Sequence, residues 1–219
     1  MRKYSSVLLG VALAMFAVAP VLVHRAPYES TMGLVQKIFY FHVPGAILML
    51  LIAMMAGVTS AIFLFKKKPW ADHWSIAAAE QVVLFGAMTL VTGPLWGRKA
   101  WGVYWDWDAR QTSALLLWMT FTAYLLLRRY GGPGSDKLAA GVALFGMANA
   151  PFVYVSVNYW RTLHPKTTVI PNLVPPMAGP MWFCLAAFAV MAIVLFTLRV
   201  QLEEQRAKVE ALYLAADES

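Results

Sequence analysis

Residues 43–65 read VPGAILMLLIAMMAGVTSAIFLF, and Lys66, Lys67 and Lys68 follow at once. A helix rises about 1.5 Å per residue, so about 20 mostly apolar residues cross a hydrocarbon core roughly 30 Å thick. This stretch meets that requirement without a single charge, and it places the chain in a bilayer. Moving outward from it, five further stretches qualify, at residues 4–23, 75–96, 111–127, 138–158 and 178–198. Glu80 is the one charged residue in all six. Its place about one and a half turns inside the third stretch fits a carboxylate snorkelling to the interface as well as a buried acid. Asn149-Ala150-Pro151 predicts a kink in the fifth, with the Asn amide satisfying a freed backbone group.

Composition agrees. Of 219 residues 60% are hydrophobic and only 13% charged, with a mean hydropathy of +0.60, whereas soluble domains carry about 25% charged residues. The sequence therefore predicts an all-α membrane protein, one six-helix transmembrane domain over residues 1–219. A Trp-rich outer loop joins helices 3 and 4, spanning residues 96–113, and a short charged cytoplasmic tail, a frayed amphipathic helix, covers residues 200–219. Aromatic content excludes disorder. The single cysteine, Cys184, excludes an internal disulfide, a Cys-x-x-Cys redox pair and a covalent c-type haem attachment site. The net charge of +7 is read as loop topology and not as nucleic-acid binding, because Lys and Arg accumulate in loops retained in the cytoplasm; the expected surrounding partner is membrane lipid.

Counting those loops sets an orientation. One face takes Arg2, Lys3, Lys66, Lys67, Lys68, Arg128, Arg129, Lys137, Arg199, Arg206 and Lys208, 11 in all; the other takes Arg25, Lys37, Arg98, Lys99, Arg110, Arg161 and Lys166, 7 in all. Both termini are expected inside. Arg2-Lys3, an apolar run and Ala17-Val18-Ala19 also imitate a signal peptide, although Pro20 argues against cleavage there. Either reading delivers residue 24 to the outer side.

The outer connections, residues 24–42, 97–110 and 159–177, hold the candidate chemistry. The middle one, with Trp96 before it, gathers Trp96, Trp101, Trp105 and Trp107 with Tyr104, Asp106, Asp108 and Arg110. An interfacial aromatic belt is spread over many helix ends; four of the nine tryptophans in one connection suit instead a surface for a large planar ligand or a partner. His42 precedes the second span, next to Pro44 at the expected first turn, and His164 lies in the last outer loop before Pro165. Two neutral imidazoles flanking that connection suit a six-coordinate haem iron. Zinc wants a third protein ligand, and neither histidine has one beside it in sequence. His24 is a substitute for one of the pair, but nothing aromatic or helical fixes its ring. Lys37, Arg98, Lys99, Arg110 and Arg161 are the cations available to haem propionates.

The segment WGVYWDWDARQTS, residues 101–113, resembles the tryptophan-rich WWD signature of haem-handling proteins in cytochrome c biogenesis. Its length, six spans, early Phe41-His42-Val43-Pro44 and late Thr162-Leu163-His164 resemble the CcmC, or haem exporter protein C, family throughout. Tyr104 stands where that family often has Trp, and Asp106 where it often has an apolar residue. The resemblance implies that His42 and His164 are axial ligands to haem b on the extracytoplasmic face. It makes Trp101, Gly102, Tyr104, Trp105, Trp107 and Asp108 the haem and partner platform. Lys37 becomes the first propionate candidate and Arg110 the second, unless Arg110 pairs with Asp108. It implies a bacterial inner-membrane complex with the haem chaperone CcmE, the small membrane protein CcmD and the ABC components CcmA and CcmB.

No Gly-x-x-x-x-Gly-Lys loop occurs, so the expected role is a non-enzymatic assembly factor whose ATP-derived energy comes from partners. The rival readings are a haem permease, disfavoured by nearly charge-free spans, and a CcsA-like delivery protein, whose relatives are larger. A cytochrome b-like electron carrier would place its histidines within the spans.

Overall fold

The computed structural model describes residues 3–30 and 32–217. Arg2, counted above for topology, and the last two tail residues, Glu218 and Ser219, lie outside them. The described residues form six α-helices: α1 Lys3–Arg25, α2 Phe39–Lys66, α3 Pro69–Trp101, α4 Ala109–Tyr130, α5 Ser135–Tyr159 and α6 Pro175–Asp217. A short 3-10 helix, Leu34–Ile38, runs directly into α2.

The helix ends follow local chemistry. Pro69 opens α3, where a missing N–H is no loss, and Asp72 sits in its first turn against the positive end of the dipole. Gly102 ends α3 at φ 79°, a torsion glycine adopts without strain, and its N–H caps the Arg98 carbonyl at 3.2 Å. Asp108 caps α4, its carboxylate accepting from the Gln111 N–H at 2.7 Å.

The central helix is α2, which packs on α3, α5 and α6; α1 covers α6, and α4 lies between α3 and α5. Small residues face inward: Ala53, Ala56, Ala77, Ala78, Ala79 and Ala143 are fully buried, while Leu51, Leu84, Phe145 and Ile193 point outward and are exposed. That inversion is what a lipid solvent allows, since large apolar side chains lose nothing by facing it and small ones let backbones approach. Several polar groups inside are paired across helices. Ser75 bonds both Ser60 at 2.6 Å and the Tyr124 hydroxyl at 2.9 Å, and the Trp118 indole donates to the Val83 carbonyl at 3.0 Å.

Several expectations change. Among the described residues five helices are long and apolar enough to cross a membrane, and α4 is not among them. Its 22 residues reach about 33 Å, but polar residues are scattered along it; Thr120 and Thr122 return their hydroxyls to carbonyls one turn back. Helix α2 starts at Phe39, so Pro44 falls in its second turn and not its first. Helix α3 runs through Trp101, which shortens the Trp-rich connection. The tail is no frayed separate helix, because α6 continues unbroken to Asp217. Glu80 is paired with Arg199 at 2.6 Å. Asn149 does not serve its own helix; its amide donates to the Ser113 carbonyl of α4 at 3.0 Å, tying α5 to α4.

Candidate functional site

His42 lies in the first turn of α2 with its side chain buried. Burial requires partners for a polar ring, and α3 supplies them. His42 Nδ1 is 2.9 Å from Thr92 Oγ1, whose own proton is committed to the Met88 carbonyl at 2.7 Å. The hydroxyl therefore accepts, Nδ1 carries the hydrogen, and Nε2 keeps its lone pair. Gly93 makes the approach possible: a Cβ there would lie 3.2 Å from His42 Cε1. The Trp96 ring is 6.0 Å from the imidazole centre.

His164 is fixed in the same tautomer by a different device. Its Nδ1 is 2.9 Å from the Pro165 carbonyl oxygen, which can only accept, so Nε2 is again free. Burial, with the Arg110 cation adding to it, holds the ring's pKa down to about 4, and the neutral, ligating form prevails at neutral pH. Two imidazoles, His42 buried and His164 half-buried, each with a bare Nε2 and with the other nitrogen oriented by a second partner, make a donor set that suits a bis-histidine iron site.

Both histidines line one narrow cavity of about 60 Å³, walled by Trp96, Trp101, Trp105 and Arg110. A second cavity of about 390 Å³, between α2, α5 and α6, shares Trp96, Arg110 and His164 with it. The second is of a size that takes an organic ligand, and the narrow one joins it at those three shared residues. Trp105 Nε1 is buried without an acceptor, an unspent donor at the cavity wall. Among the described residues no three His, Cys, Asp or Glu side chains gather to hold a metal ion, so zinc lacks its usual ligand number. The residues present fit haem: two imidazoles, indole walls and a guanidinium.

The loops are held together by one carboxylate. Asp108, besides capping α4, accepts from the Thr162 hydroxyl and from the Leu163 N–H at 3.3 Å, and Thr162 Oγ1 accepts the His164 N–H at 3.0 Å. The expected Asp108–Arg110 pair is absent; Arg110 instead donates to the Val153 carbonyl at 2.5 Å and to that of Tyr154 at 3.3 Å. Its guanidinium borders both cavities. Lys37 is turned away, bonded to the Ala26 carbonyl and lying 4.7 Å over the Tyr28 ring. Arg98 bonds the Gly102 carbonyl and stacks on Tyr104, and neither Lys37 nor Arg98 lines a cavity with the histidines. Lys166, in contrast, lines the second. Tyr104 and Trp107 are exposed, Trp107 at 73%. His24 stays outside both cavities, and His73 stands near the start of α3, at the opposite end.

Thr92, Gly93 and Thr162 escaped the sequence reading. The signal for the first two was a Thr-Gly-Pro interruption, residues 92–94, in an apolar span. Nothing in the sequence marked Thr162 as a bridge.

Comparison with known proteins shows the family. The family profile described as Heme exporter protein C, CcmC, matches residues 1–216. A mitochondrial ccmC-like cytochrome c biosynthesis protein of Marchantia polymorpha is 35% identical over 168 residues, covering 76% of this chain and 72% of its own length. Heme exporter protein C of Bradyrhizobium diazoefficiens is 33% identical, over 86% of this chain and 74% of the relative. That of Escherichia coli K12 is 32% identical, over 86% and 80%.

Proposed function

Because the chain belongs to the Heme exporter protein C family, we propose that it is a multi-pass membrane assembly factor which holds haem b between His42 and His164 and delivers it for cytochrome c biogenesis. The observation that carries this reading is the pair of imidazoles, each with Nδ1 hydrogen-bonded and Nε2 free, on one indole-walled cavity. Haem, when bound, supplies an iron with two axial positions and a reactive periphery. The chain supplies everything else. His42 and His164 ligate, Trp96, Trp101 and Trp105 exclude water, and Arg110 with Lys166 offers charge to the propionates in place of Lys37. Exposed Trp107 and Tyr104 form the docking edge for the periplasmic chaperone CcmE. CcmD and the ABC components CcmA and CcmB complete the assembly, and ATP chemistry resides with them. In this reading α4 makes the sixth crossing, with its polar residues turned to α3 and α5.

A haem titration tests the ligand set. The purified chain should give a six-coordinate, low-spin ferric spectrum, unchanged from about pH 7.5 to about pH 5.5, because the folded His164 ring stays neutral well below the ordinary 6.5 of histidine. The same depression means the unfolded chain takes up a proton first, so the ring's contribution to stability is complete above about 6.5 and fades as pH falls toward 4. Loss of the spectrum with a midpoint near the ordinary histidine value would place His164 in water and off the iron.

Both termini are proposed cytoplasmic and the haem site periplasmic, since the histidine cavity lies at the end away from Lys66–Lys68 and Arg128–Arg129. In a Cys184→Ala background, Lys99→Cys and Lys166→Cys should react with an impermeant thiol reagent added outside, and Lys67→Cys should not. All three positions are exposed. Labelling of the Lys67 variant alone would invert the topology.

A further inference from the structure

At the end of the bundle opposite the histidines, a cavity of about 890 Å³ opens between α3, α4 and α6. Four guanidinium groups line it, Arg128 and Arg129 from α4 and Arg199 and Arg206 from α6, together with Glu80 and Glu203. Most of their charge is spent internally. Arg199 takes Glu80 at 2.6 Å and also Glu203; Arg206 reaches Glu203 at 3.2 Å; one arm of Arg128 holds Asp72 at 2.7 Å. Two donors are left over. Arg128 Nη1 is buried without an acceptor, and Arg129 has no carboxylate partner among the described residues. Four cations against three carboxylates leave one positive charge unanswered, and an unpaired buried donor is costly.

A second feature points to what answers it. A groove of about 630 Å³ shares Glu80 and Arg199 with the cavity and is otherwise lined by Ala77, Leu84, Leu195 and Leu198, with Gln81 and Leu202. It follows α3 and α6 from the charged end toward the apolar part of the helices. An anionic head beside an apolar channel is the outline of a phospholipid. We propose that this pair of cavities binds an anionic phospholipid, the phosphodiester against Arg128 and Arg129 and an acyl chain along the α3–α6 groove. A phosphodiester carries one negative charge and several acceptor oxygens, which matches the surplus charge and the orphaned Nη1. The zwitterionic phosphatidylcholine brings its own cation and gains less. Basic pockets between helices near a membrane surface recognise headgroups in this way.

Native mass spectrometry of the full chain in a neutral detergent tests the site with phosphatidylglycerol, phosphatidylcholine and inorganic phosphate as probes. The chain should retain phosphatidylglycerol in preference to phosphatidylcholine. Arg129→Gln should lower the retained fraction about five-fold, the effect of one surface guanidinium on an anionic lipid. Lys67→Gln with Lys68→Gln removes more charge from the same end without touching either cavity and should change nothing. Arg129 is exposed, so its replacement leaves the fold intact, and the histidine site at the far end should keep its haem spectrum in every variant. Equal retention of both lipids, an equal loss in the lysine variant, or displacement of lipid by inorganic phosphate would each overturn the proposal. The last outcome would mark a free-anion site, and the lysine result would mean diffuse surface charge.

Discussion

Replacing His164 with glycine is expected to convert the haem-loaded chain from six-coordinate low spin to five-coordinate, with the lost band restored by added imidazole. The ring is half-buried, and its Nδ1–H is held by the Pro165 carbonyl, so its removal leaves a shaped opening beside Trp105 and Arg110, both of which line the same cavity. Small imidazole can enter where a side chain has been cut away. His42→Gly should behave alike, although its opening is deeper and bordered by Gly93 and Trp96. Thr92→Val keeps the volume near His42 but removes the acceptor that fixes its tautomer. Loss of such an outer partner lowers metal affinity about ten-fold without changing ligand number. His24→Gly and His73→Gly should leave the spectrum as it was, since neither ring touches the cavity. A low-spin spectrum that persists in His164→Gly without imidazole would remove this histidine from the iron.

How much of this was legible beforehand depends on the kind of force involved. The spans were visible because a bilayer imposes length and apolarity on contiguous residues such as 43–65, and the pairing of outer ends followed from alternation alone. The histidines were visible because few polar residues stand at those ends. The cations were not: Lys37 and Arg110 look equivalent as letters, yet Lys37 is captured by a nearby carbonyl and the Tyr28 ring, while Arg110 is pinned to α5 at the cavity mouth. Trp105 and Trp107, two positions apart, diverge for a similar reason. Their rings meet edge to face with centroids 5.5 Å apart, yet Trp105 is the inner of the two, lining the histidine cavity with its buried N–H orphaned, and Trp107 is exposed. Thr92 and Gly93 matter only through a contact across 50 residues of sequence, which no local pattern encodes.

Asp108 is the residue whose role changed most, from a partner for Arg110 to the joint between the two outer loops. One oxygen caps α4 through the Gln111 N–H, and the other receives the Thr162 hydroxyl and the Leu163 N–H. Asp108→Ala forfeits both functions: about 1 kcal/mol for the cap and about 1.5–3 kcal/mol for hydrogen bonds to a charged acceptor. If the second part falls on the His164 loop, haem affinity should drop about 10- to 100-fold, each factor of ten being about 1.4 kcal/mol. Asp108→Asn separates the two roles. An amide oxygen still caps the helix, since Asn is as good a cap as Asp, but the amide nitrogen then meets the Thr162 and Leu163 donors with a donor of its own. The Asn variant should therefore keep the thermal stability of the parent more nearly than Ala does, yet lose haem affinity almost as far. Thr162→Val, which keeps the shape and deletes the hydroxyl, should weaken haem binding in the parent and cost less in the Asp108→Ala background, where only its acceptance of the His164 N–H is left to lose. Additive losses in that double-mutant cycle, or parental haem affinity in Asp108→Asn, would confine Asp108 to capping α4 and leave His164 to be positioned by Pro165 and its own burial.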